Sequence, residues 1–458
     1  MNMKTGDIKE IGLVDYFVNL YIANMDLICE NAGETMNAMR SAAIENFNII
    51  SIFNRENDKY KHLDIRKIFS DNYEKYFVPT VRQTDADIFV CDVSELNSHK
   101  IFLINGFYYS NTEPLTTLDS GVIYGSLANA SIKYPEIFKK YYNKICNNEN
   151  EGLVALNTAF AQDGIFIYVP QNVVVDKPIQ IVNILFGDNP TMVQYRNLFV
   201  IDENAQANIL VCNHTISGSK FLANCVGETF LENNSQLETV YLQNEHDNSH
   251  HFSFLHTQQA NGSVCTSNTI TLNGGVVSNT IDTQLTDTHC ENHTYGLFLA
   301  DNNQYVANYT EINHASPQCT SNEHFKGILD DSATGIFKGK ILVSPHADKT
   351  KAFQSNNNIM LTDTARMFTR PQLEIYADDV KCSHGVTVGR LDEEALFYMR
   401  SRGIEYRQAQ LLQLFGFAYD IMNKISIKPL RDRIANLVEK RLNGELSQCI
   451  GCTYQCRK

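Results

Sequence analysis

The chain has 458 residues, of which 43% are hydrophobic, 20% are charged and 10% are aromatic. This apolar content is enough for a sizeable core and excludes a disordered or collagen-like chain. The formal net charge is −14, from 38 Lys and Arg against 52 Asp and Glu, so we expect the protein to bind neither nucleic acid nor anionic membranes.

The start of the chain and its cysteines indicate a cytoplasmic protein. The segment Met1–Glu10 lacks the long apolar run of a signal peptide, and no run of 18 apolar residues occurs, so we expect no membrane span. In a reducing cytosol the 12 cysteines are predicted to be free thiols, core residues or metal ligands rather than a disulfide framework.

Residues 1–85 are predicted to form an N-terminal helical region. Apolar residues recur at helical spacing in two stretches, which begin near Leu13 and near Met36. A shorter helix is predicted near Ile65–Phe69. Pro79 closes this region.

Residues 86–390 are predicted to form a β-rich core with a helical insertion near 126–148. From Val173 to Val380, short β-rich runs alternate with turns in which a polar residue, often Asp or Asn, precedes a small residue. Quasi-repeats of this kind favour a β-solenoid, in which each coil packs on its neighbours. The pattern by itself leaves open a large β-sandwich with irregular loops.

Residues 391–446 are predicted to form a C-terminal helical domain. Its capping and breaking residues delimit three helices, from Asp392 to Gly403, from Tyr406 to Lys424 and from Pro429 to Gly444. The remaining residues, 447–458, form a cysteine-rich tail.

The segment between the last predicted strand and the first C-terminal helix could carry chemistry. In a strand, Cys382 and His384 would point to one face. A thiolate and an imidazole can ligate zinc or iron, and they can also act as a nucleophile and a base. The alternative is a buried cysteine beside a surface histidine.

The tail contains three thiols within eight residues, at Cys449, Cys452 and Cys456. This spacing resembles part of a metal or Fe–S ligand set. The alternative is an oxidation-prone terminal segment without a bound metal, because a fourth ligand is missing. We expect no tightly held metal there.

The other motifs do not indicate an enzyme. The histidines between His246 and His256 are interpreted as lying on solvated faces of polar β-coils, and not as a metal site. No GxxxxGK[ST] segment occurs, so the chain carries no standard P-loop, and GxSxG and HExxH are also absent.

Two long segments resemble the SufB/SufD family, the scaffold components of the SUF iron–sulfur cluster assembly system. They are Ala377–Gly385, which ends in Cys-Ser-His-Gly, and Leu391–Ile404, which begins Leu-Asp-Glu-Glu-Ala-Leu-Phe-Tyr. Weaker similarity extends the match to about Leu153–Ile425. Within the family the motif is similar to SufD, because the SufB counterpart is usually of the form Glu-His-Glu-Ala-Thr.

This resemblance implies a right-handed parallel β-helix flanked by N-terminal and C-terminal α-helical domains. It implies pairing with a SufB-like subunit through the ends of the two β-helices. It also implies docking of a SufC-like ABC-type ATPase on the C-terminal helices, which would supply the ATP hydrolysis that this chain lacks. The residues expected to dock partners are Leu396, Phe397, Phe415 and Phe417.

The resemblance further implies a transient iron–sulfur cluster shared with SufB. By motif, His384 is the expected cluster-assembly residue and Cys382 is the secondary one. The chain would then be a non-catalytic scaffold, with no cofactor stably bound in isolation. The alternatives are a homodimeric SufD-like storage or chaperone protein and, from another class, a β-helix enzyme acting on polysaccharides.

Overall fold

The computed structural model describes residues 12–50, 52, 59–75, 77, 96–110, 113–146 and 149–445. The chain winds into a solenoid of two sheets, and helices from both ends of the chain cover its outer faces. The predicted mainly β fold with flanking helices is therefore confirmed, and the β-sandwich alternative is wrong.

Within the described ranges, the N-terminal part combines short strands with six helices. The helices are α1 (Leu13–Cys29), α2 (Glu34–Ile50), α3 (Ile65–Phe69), α4 (Leu127–Lys133), α5 (Pro135–Tyr141) and α6 (Gly152–Phe160). The strands are β1 (Glu74–Lys75), β2 (His99–Ile104), β3 (Phe107–Tyr109), β4 (Leu115–Thr117) and β5 (Ile123–Ser126). The helices predicted near Leu13, Met36 and Ile65 are confirmed, and α4 and α5 lie within the predicted insertion.

Eight coils follow, and each contributes one strand to each sheet. The first sheet, here called the even sheet, contains β6 (Ile165–Val169), β8 (Thr191–Ile201), β10 (Phe221–Leu231), β12 (Ser249–Gln259), β14 (Val276–Leu285), β16 (Tyr305–His314), β18 (Thr334–Val343) and β20 (Arg366–Ile375). The second, the odd sheet, contains β7 (Ile179–Leu185), β9 (Gln206–Thr215), β11 (Gln236–Asn244), β13 (Val264–Asn273), β15 (Glu291–Ala300), β17 (Thr320–Leu329), β19 (Lys351–Met360) and β21 (Lys381–Gly389).

The coils stack in parallel register, so equivalent residues form rows along the solenoid. At one corner, a residue with positive φ is followed by a small buried residue, as in Asn204-Ala205 and Asn234-Ser235. Asparagine tolerates this left-handed conformation because its side chain can hydrogen-bond locally. The side-chain amide of Asn234 donates a hydrogen bond of 3.2 Å to the side-chain oxygen Oδ1 of Asn204 in the neighbouring coil. The turns that this pattern marks in the sequence are thus corners of the solenoid.

The two ends of the solenoid differ. At the first coil, β2 pairs with β7 and β5 pairs with β6, so the short N-terminal strands cover the sheet edges. Covered edges cannot pair with another chain. At the last coil, β20 pairs with β18 and β21 pairs with β19. Within the described chain, β20 and β21 therefore each have a partner strand on one edge only.

Helices cover the outer face of each sheet. Phe17 and Phe160 of the N-terminal helices belong to one buried cluster with Phe252 of the even sheet. The C-terminal helices are α7 (Glu393–Ser401), α8 (Tyr406–Met422) and α9 (Lys428–Leu442). Leu414 of α8 and Ile434 of α9 are buried with apolar residues of the odd sheet. Among the described residues, no helix is both long and apolar enough to cross a membrane.

Candidate functional site

The last coil presents an open surface with apolar side chains. The exposed apolar residues of its strands and of the turn after β20 are Phe368, Ile375, Tyr376, Val386 and Val388. An exposed strand edge with apolar neighbours is a template for association with another chain. We call this surface, formed by β20, the turn at Tyr376 and β21, the open end.

Cys382 and His384 both lie on β21. Their pairing partners on β19 are Ala352 and Gln354, and both partners are buried inside the solenoid. Because alternate residues of a strand share a face, Cys382 and His384 continue the inward-facing rows of the earlier coils. They are the last members of those rows, and His384 is exposed to solvent at the open end.

The two side chains have different surroundings. Cys382 is half-buried and packs against a buried apolar cluster, which consists of Ile341, Val343, Ala347 and Ala352. Burial raises the pKa of the Cys382 thiol, although a backbone hydrogen bond from Ala352 acts in the opposite direction. A raised pKa disfavours the thiolate, which is the form that binds metal.

Of the four residues predicted to dock partners, two are exposed or line a groove. Phe397 on α7 is 74% exposed, whereas Leu396 beside it is only 5% exposed. Phe415 lines an apolar groove on α8, but Phe417 lies against the solenoid, where the Lys326 ammonium is 4.5 Å from its ring centroid and donates to its carbonyl oxygen. Leu396 and Phe417 therefore belong to the packing of the domain.

The groove lies between α8 and α9 and has a volume of about 540 Å³. Leu411, Leu412 and Phe415 form its wall on α8, and Leu442 and Glu439 belong to α9. Leu412 is largely exposed although the opposite side of α8 is buried on the odd sheet. A helix that is apolar on several sides is typical of a buried element, so α8 has more apolar surface than this chain covers.

The cysteine tail, with Cys449, Cys452 and Cys456, lies outside the described residues. Among the described residues, no group of three or more His, Cys, Asp or Glu side chains is arranged to hold a metal ion.

The histidines between His246 and His256 are not all on solvated faces, and that prediction is wrong for His251 and His256. His251 is buried in the interior with Nδ1 2.6 Å from the Glu245 carboxylate. His256 is buried on the outer face of the even sheet, 3.3 Å from Asp282.

Sequence comparison identifies the family of this fold. The model of the SUF system FeS cluster assembly SufBD core domain matches residues 184–417, which is just over half of the chain, and the model of the SufBD N-terminal region matches residues 13–181. This chain belongs to the SufB/SufD family.

Sequence similarity to individual SufB/SufD proteins supports this assignment. The chain is 30% identical to the SufBD family protein slr0076 of Synechocystis over 78% of each chain. It is also 30% identical to the iron–sulfur cluster assembly protein SufD of Escherichia coli, over 66% of this chain and 74% of that protein. SufD of Bacillus subtilis is 25% identical over 71% of this chain and 75% of its own length. The similarity to proteins named SufD is consistent with the Cys-Ser-His-Gly motif, which resembles the SufD form of the family signature.

Membership of this family places the chain among the components of SUF iron–sulfur cluster assembly. The predicted resemblance is confirmed, and the match extends beyond the predicted Leu153–Ile425 into the helical N-terminal region. It favours a scaffold component over a polysaccharide-active enzyme, which was the alternative from another class.

Proposed function

We propose that this chain is a SufD-like scaffold subunit that pairs with a SufB-like subunit through the open end and contributes His384 to a cluster assembled at that junction. The observation that carries this proposal is the position of His384, which is exposed on the last strand of the solenoid, at an edge that no strand of the described chain pairs with. A second solenoid could continue both sheets there and bring further ligands to the imidazole.

The chemistry of the two residues suits temporary binding. A neutral imidazole is a weaker iron ligand than a thiolate, so a site with His384 could hold a nascent cluster and release it. Cys382 is half-buried, and its raised thiol pKa favours a packing role or a secondary ligand role. The cluster in this proposal is the cargo of the complex, with no cofactor stably bound to the isolated chain.

We propose that the groove between α8 and α9, together with Phe397, docks a SufC-like ATPase. Exposed apolar anchors spaced along one helix are the usual contacts of helix-mediated docking. Leu411, Leu412 and Phe415 have this spacing on α8. The partner would supply the ATP hydrolysis, and this chain would act as a non-catalytic scaffold.

The cluster-site proposal is tested by His384→Ala in a complex co-expressed with SufB-like and SufC-like subunits and purified without oxygen. We expect the complex to assemble normally but to contain less than about half of the wild-type iron and sulfide. Cys382→Ser should have a smaller effect. Ser383→Ala, on the opposite face of the same strand, is the matched control and should leave the content unchanged. Wild-type iron and sulfide in the His384→Ala complex would refute the role of His384.

The docking proposal is tested by Leu412→Glu and Phe415→Glu in co-purification with the ATPase. Because a charge in an apolar contact is costly to desolvate, both variants should release the ATPase while circular dichroism stays unchanged. Ile132→Glu on α4 is the matched control, since Ile132 is 59% exposed and Leu412 is 56% exposed. Retention of the ATPase by both folded variants would contradict docking at this groove.

A further inference from the structure

Two thiols lie next to each other at one corner of the solenoid, where the turns lead into the odd sheet. Cys290 immediately precedes β15, and Cys319 immediately precedes β17. These strands pair in parallel from Glu291 and Thr320 onward, and the Thr320 amide donates a hydrogen bond of 2.9 Å to the Cys290 carbonyl oxygen. Of the cysteines within the described ranges, these two occupy equivalent positions in neighbouring coils.

The sulfur atoms of the two residues converge on one backbone atom. Sγ of Cys290 lies 3.1 Å from the Asp287 carbonyl oxygen, and Sγ of Cys319 lies 3.2 Å from the same oxygen. Neighbouring strands of a sheet are about 4.8 Å apart, which is within the Cα separation of about 4.4–6.8 Å that a disulfide spans. The stacking of the coils therefore holds the two thiols at a separation that a disulfide can bridge.

The equivalent corner positions of other coils hold hydroxyl side chains. Ser235, Ser263 and Thr350 are buried, and each hydroxyl donates to the carbonyl oxygen three residues earlier in the chain, at 2.7, 2.6 and 2.8 Å. Cys290 has the same relation to the Asp287 carbonyl oxygen. Because a thiol is a weaker donor than a hydroxyl, the structure of the corner does not itself require a cysteine.

The two thiols differ in their readiness to ionise. A hydrogen bond from Cys290 lowers the pKa of the Cys319 thiol, although burial acts to raise it. The same hydrogen bond, together with burial, raises the pKa of the Cys290 thiol. Since the thiolate is the form that attacks an oxidant, Cys319 is the nucleophile of the pair. Cys290 is then the thiol that can react with the oxidised form of Cys319.

The layer that covers the two thiols is thin. Both cysteines are fully buried, but Asp287 and His289 in one turn and Gln318 in the next are exposed. The turns above the sulfur atoms therefore face solvent on their other side. Local opening of such a turn needs less free energy than unfolding of the coils, and it admits a small oxidant.

We propose that Cys290 and Cys319 form a reversible disulfide site that hydrogen peroxide oxidises. The Cys319 thiolate attacks one peroxide oxygen, the O–O bond breaks, and the products are a sulfenic acid and a hydroxide, which takes up the proton that Cys319 had released. The Cys290 sulfur then attacks the Cys319 sulfur, an S–S bond replaces the S–O bond, and the hydroxyl group leaves with the Cys290 proton as water. Two thiols and one peroxide thus give one disulfide and two water molecules.

The site is independent of the proposed cluster assembly, since it requires neither His384 nor a partner subunit. A dithiol reductant reverses the oxidation by thiol–disulfide exchange. In the oxidised form, a covalent bond joins two coils in the middle of the solenoid.

The first test is peptide mapping of the folded full chain after treatment with hydrogen peroxide, blocking of the remaining thiols and digestion without reductant. We expect the peptides that contain Cys290 and Cys319 to be joined to each other in more than about half of the chains, and dithiothreitol to separate them. Free thiols at both positions, or links from them to other cysteines instead, would overturn the proposal.

Serine variants separate the chemistry from the structure of the corner. Because other coils have serine at this position, Cys290→Ser and Cys319→Ser should keep the urea midpoint of the reduced wild type. Peroxide should raise the midpoint of the wild type, since a link between coils restricts the unfolded chain, and should leave both variants unchanged. Cys29→Ser, at a half-buried cysteine that ends α1, is the matched control and should respond like the wild type.

An equal rise of the midpoint in the two serine variants would assign the effect to other cysteines and refute the site. If either variant unfolds, the peptide map of the wild type still decides.

The order of the two steps predicts a difference between the variants. Cys290→Ser keeps the nucleophile but removes the second thiol, so a sulfenic acid should accumulate at Cys319, where dimedone traps it. Cys319→Ser should give at least about tenfold less trapped product at Cys290, because that thiol ionises less readily. More trapped product at Cys290 than at Cys319 would refute the assignment of the nucleophile.

Discussion

At the scale of single residues, the interior of the solenoid contains a glutamate whose pKa is raised to near neutral pH. Glu323 is buried, and its carboxylate accepts hydrogen bonds from Thr310 at 2.5 Å and from Gln354 at 2.7 Å. Desolvation raises the pKa of Glu323 to about 7, although both hydrogen bonds act to lower it. Gln354 is the strand partner of both Glu323 and His384, so Glu323 lies two coils from the candidate cluster site.

The raised pKa of Glu323 predicts a stability that falls as the pH rises. Between about pH 4.3, the usual pKa of glutamate, and about pH 7, the folded chain holds a proton that the unfolded chain has lost. The free energy of unfolding should therefore decrease through this range, by roughly 3 kcal/mol for this group, and stay lower above it.

Urea unfolding of the wild type and of Glu323→Gln at pH 5 and pH 8 measures this effect. Glutamine stays neutral at both values, so the variant should lose less stability at pH 8 than the wild type does. The same pH dependence in both proteins would show that Glu323 is already ionised in the folded chain at pH 5, which would contradict the raised pKa.

At the scale of elements, a buried ion pair joins the helical insertion to the solenoid. The Arg196 guanidinium of β8 and the Glu228 carboxylate of β10 are fully buried and 2.9 Å apart. The same carboxylate accepts backbone hydrogen bonds from Asn143, Lys144 and Ile145, the loop that follows α5. One side chain thus fixes the position of the insertion on the even sheet.

Glu228→Gln is predicted to lower the free energy of unfolding by about 3–5 kcal/mol, because it leaves the Arg196 charge buried without its partner. The change is measured by the urea midpoint. The matched control is Glu136→Gln, which breaks the exposed pair of Glu136 and Lys139 and should leave the midpoint nearly unchanged. A similar midpoint for both variants would contradict this account of the insertion.

At the scale of the whole molecule, coverage of the solenoid is uneven. N-terminal strands cover its first coil and helices cover its two sheets, but the open end exposes apolar residues, and among the described strands β21 has a partner on one edge only. A solenoid end with these features is a site for aggregation unless another chain covers it. The proposed pairing with a SufB-like subunit would cover this end.

Val388→Lys is predicted to block that association, because a charged side chain on an edge strand opposes strand pairing. Co-purification with a SufB-like subunit and sedimentation of the chain alone are the measurements. Val174→Lys, at an exposed valine remote from the open end, is the control. Wild-type association by the Val388→Lys chain would contradict pairing through the open end. A dimer of the chain alone that this variant disrupts would support the homodimeric alternative.

The local features of the fold were predictable because they are encoded within a few residues. Asp392 accepts hydrogen bonds from Glu394 and Ala395 at the start of α7, and Gly403 follows its end with a φ of 86°. Pro429 lies in the first turn of α9. Short-range capping and turn preferences select these conformations whatever the rest of the chain does.

The position of Cys382 and His384 on one face of a strand was also predictable, since it follows from the twofold alternation of strands. Their place at the open end was not, because it depends on which later residues cover the last coil. The packing of Leu396 and Phe417 against their own chain was not predictable either. An apolar residue on a helix does not specify whether its own chain or a partner buries it.

A cavity on the outer face of the even sheet, lined by residues of five strands and by Lys59 and Glu151 of the N-terminal part, was decided by the tertiary structure alone. His256, Asp282, Glu311 and Lys340 are separated in sequence by one coil each, and they meet because the coils stack in register. Alignment of the coils could have placed them in one row, but not the N-terminal segment around Lys59 that covers it. In a solenoid both faces of a strand can be buried, one in the interior and one beneath helices. Sequence alternation alone therefore does not reveal which polar residues line a cavity.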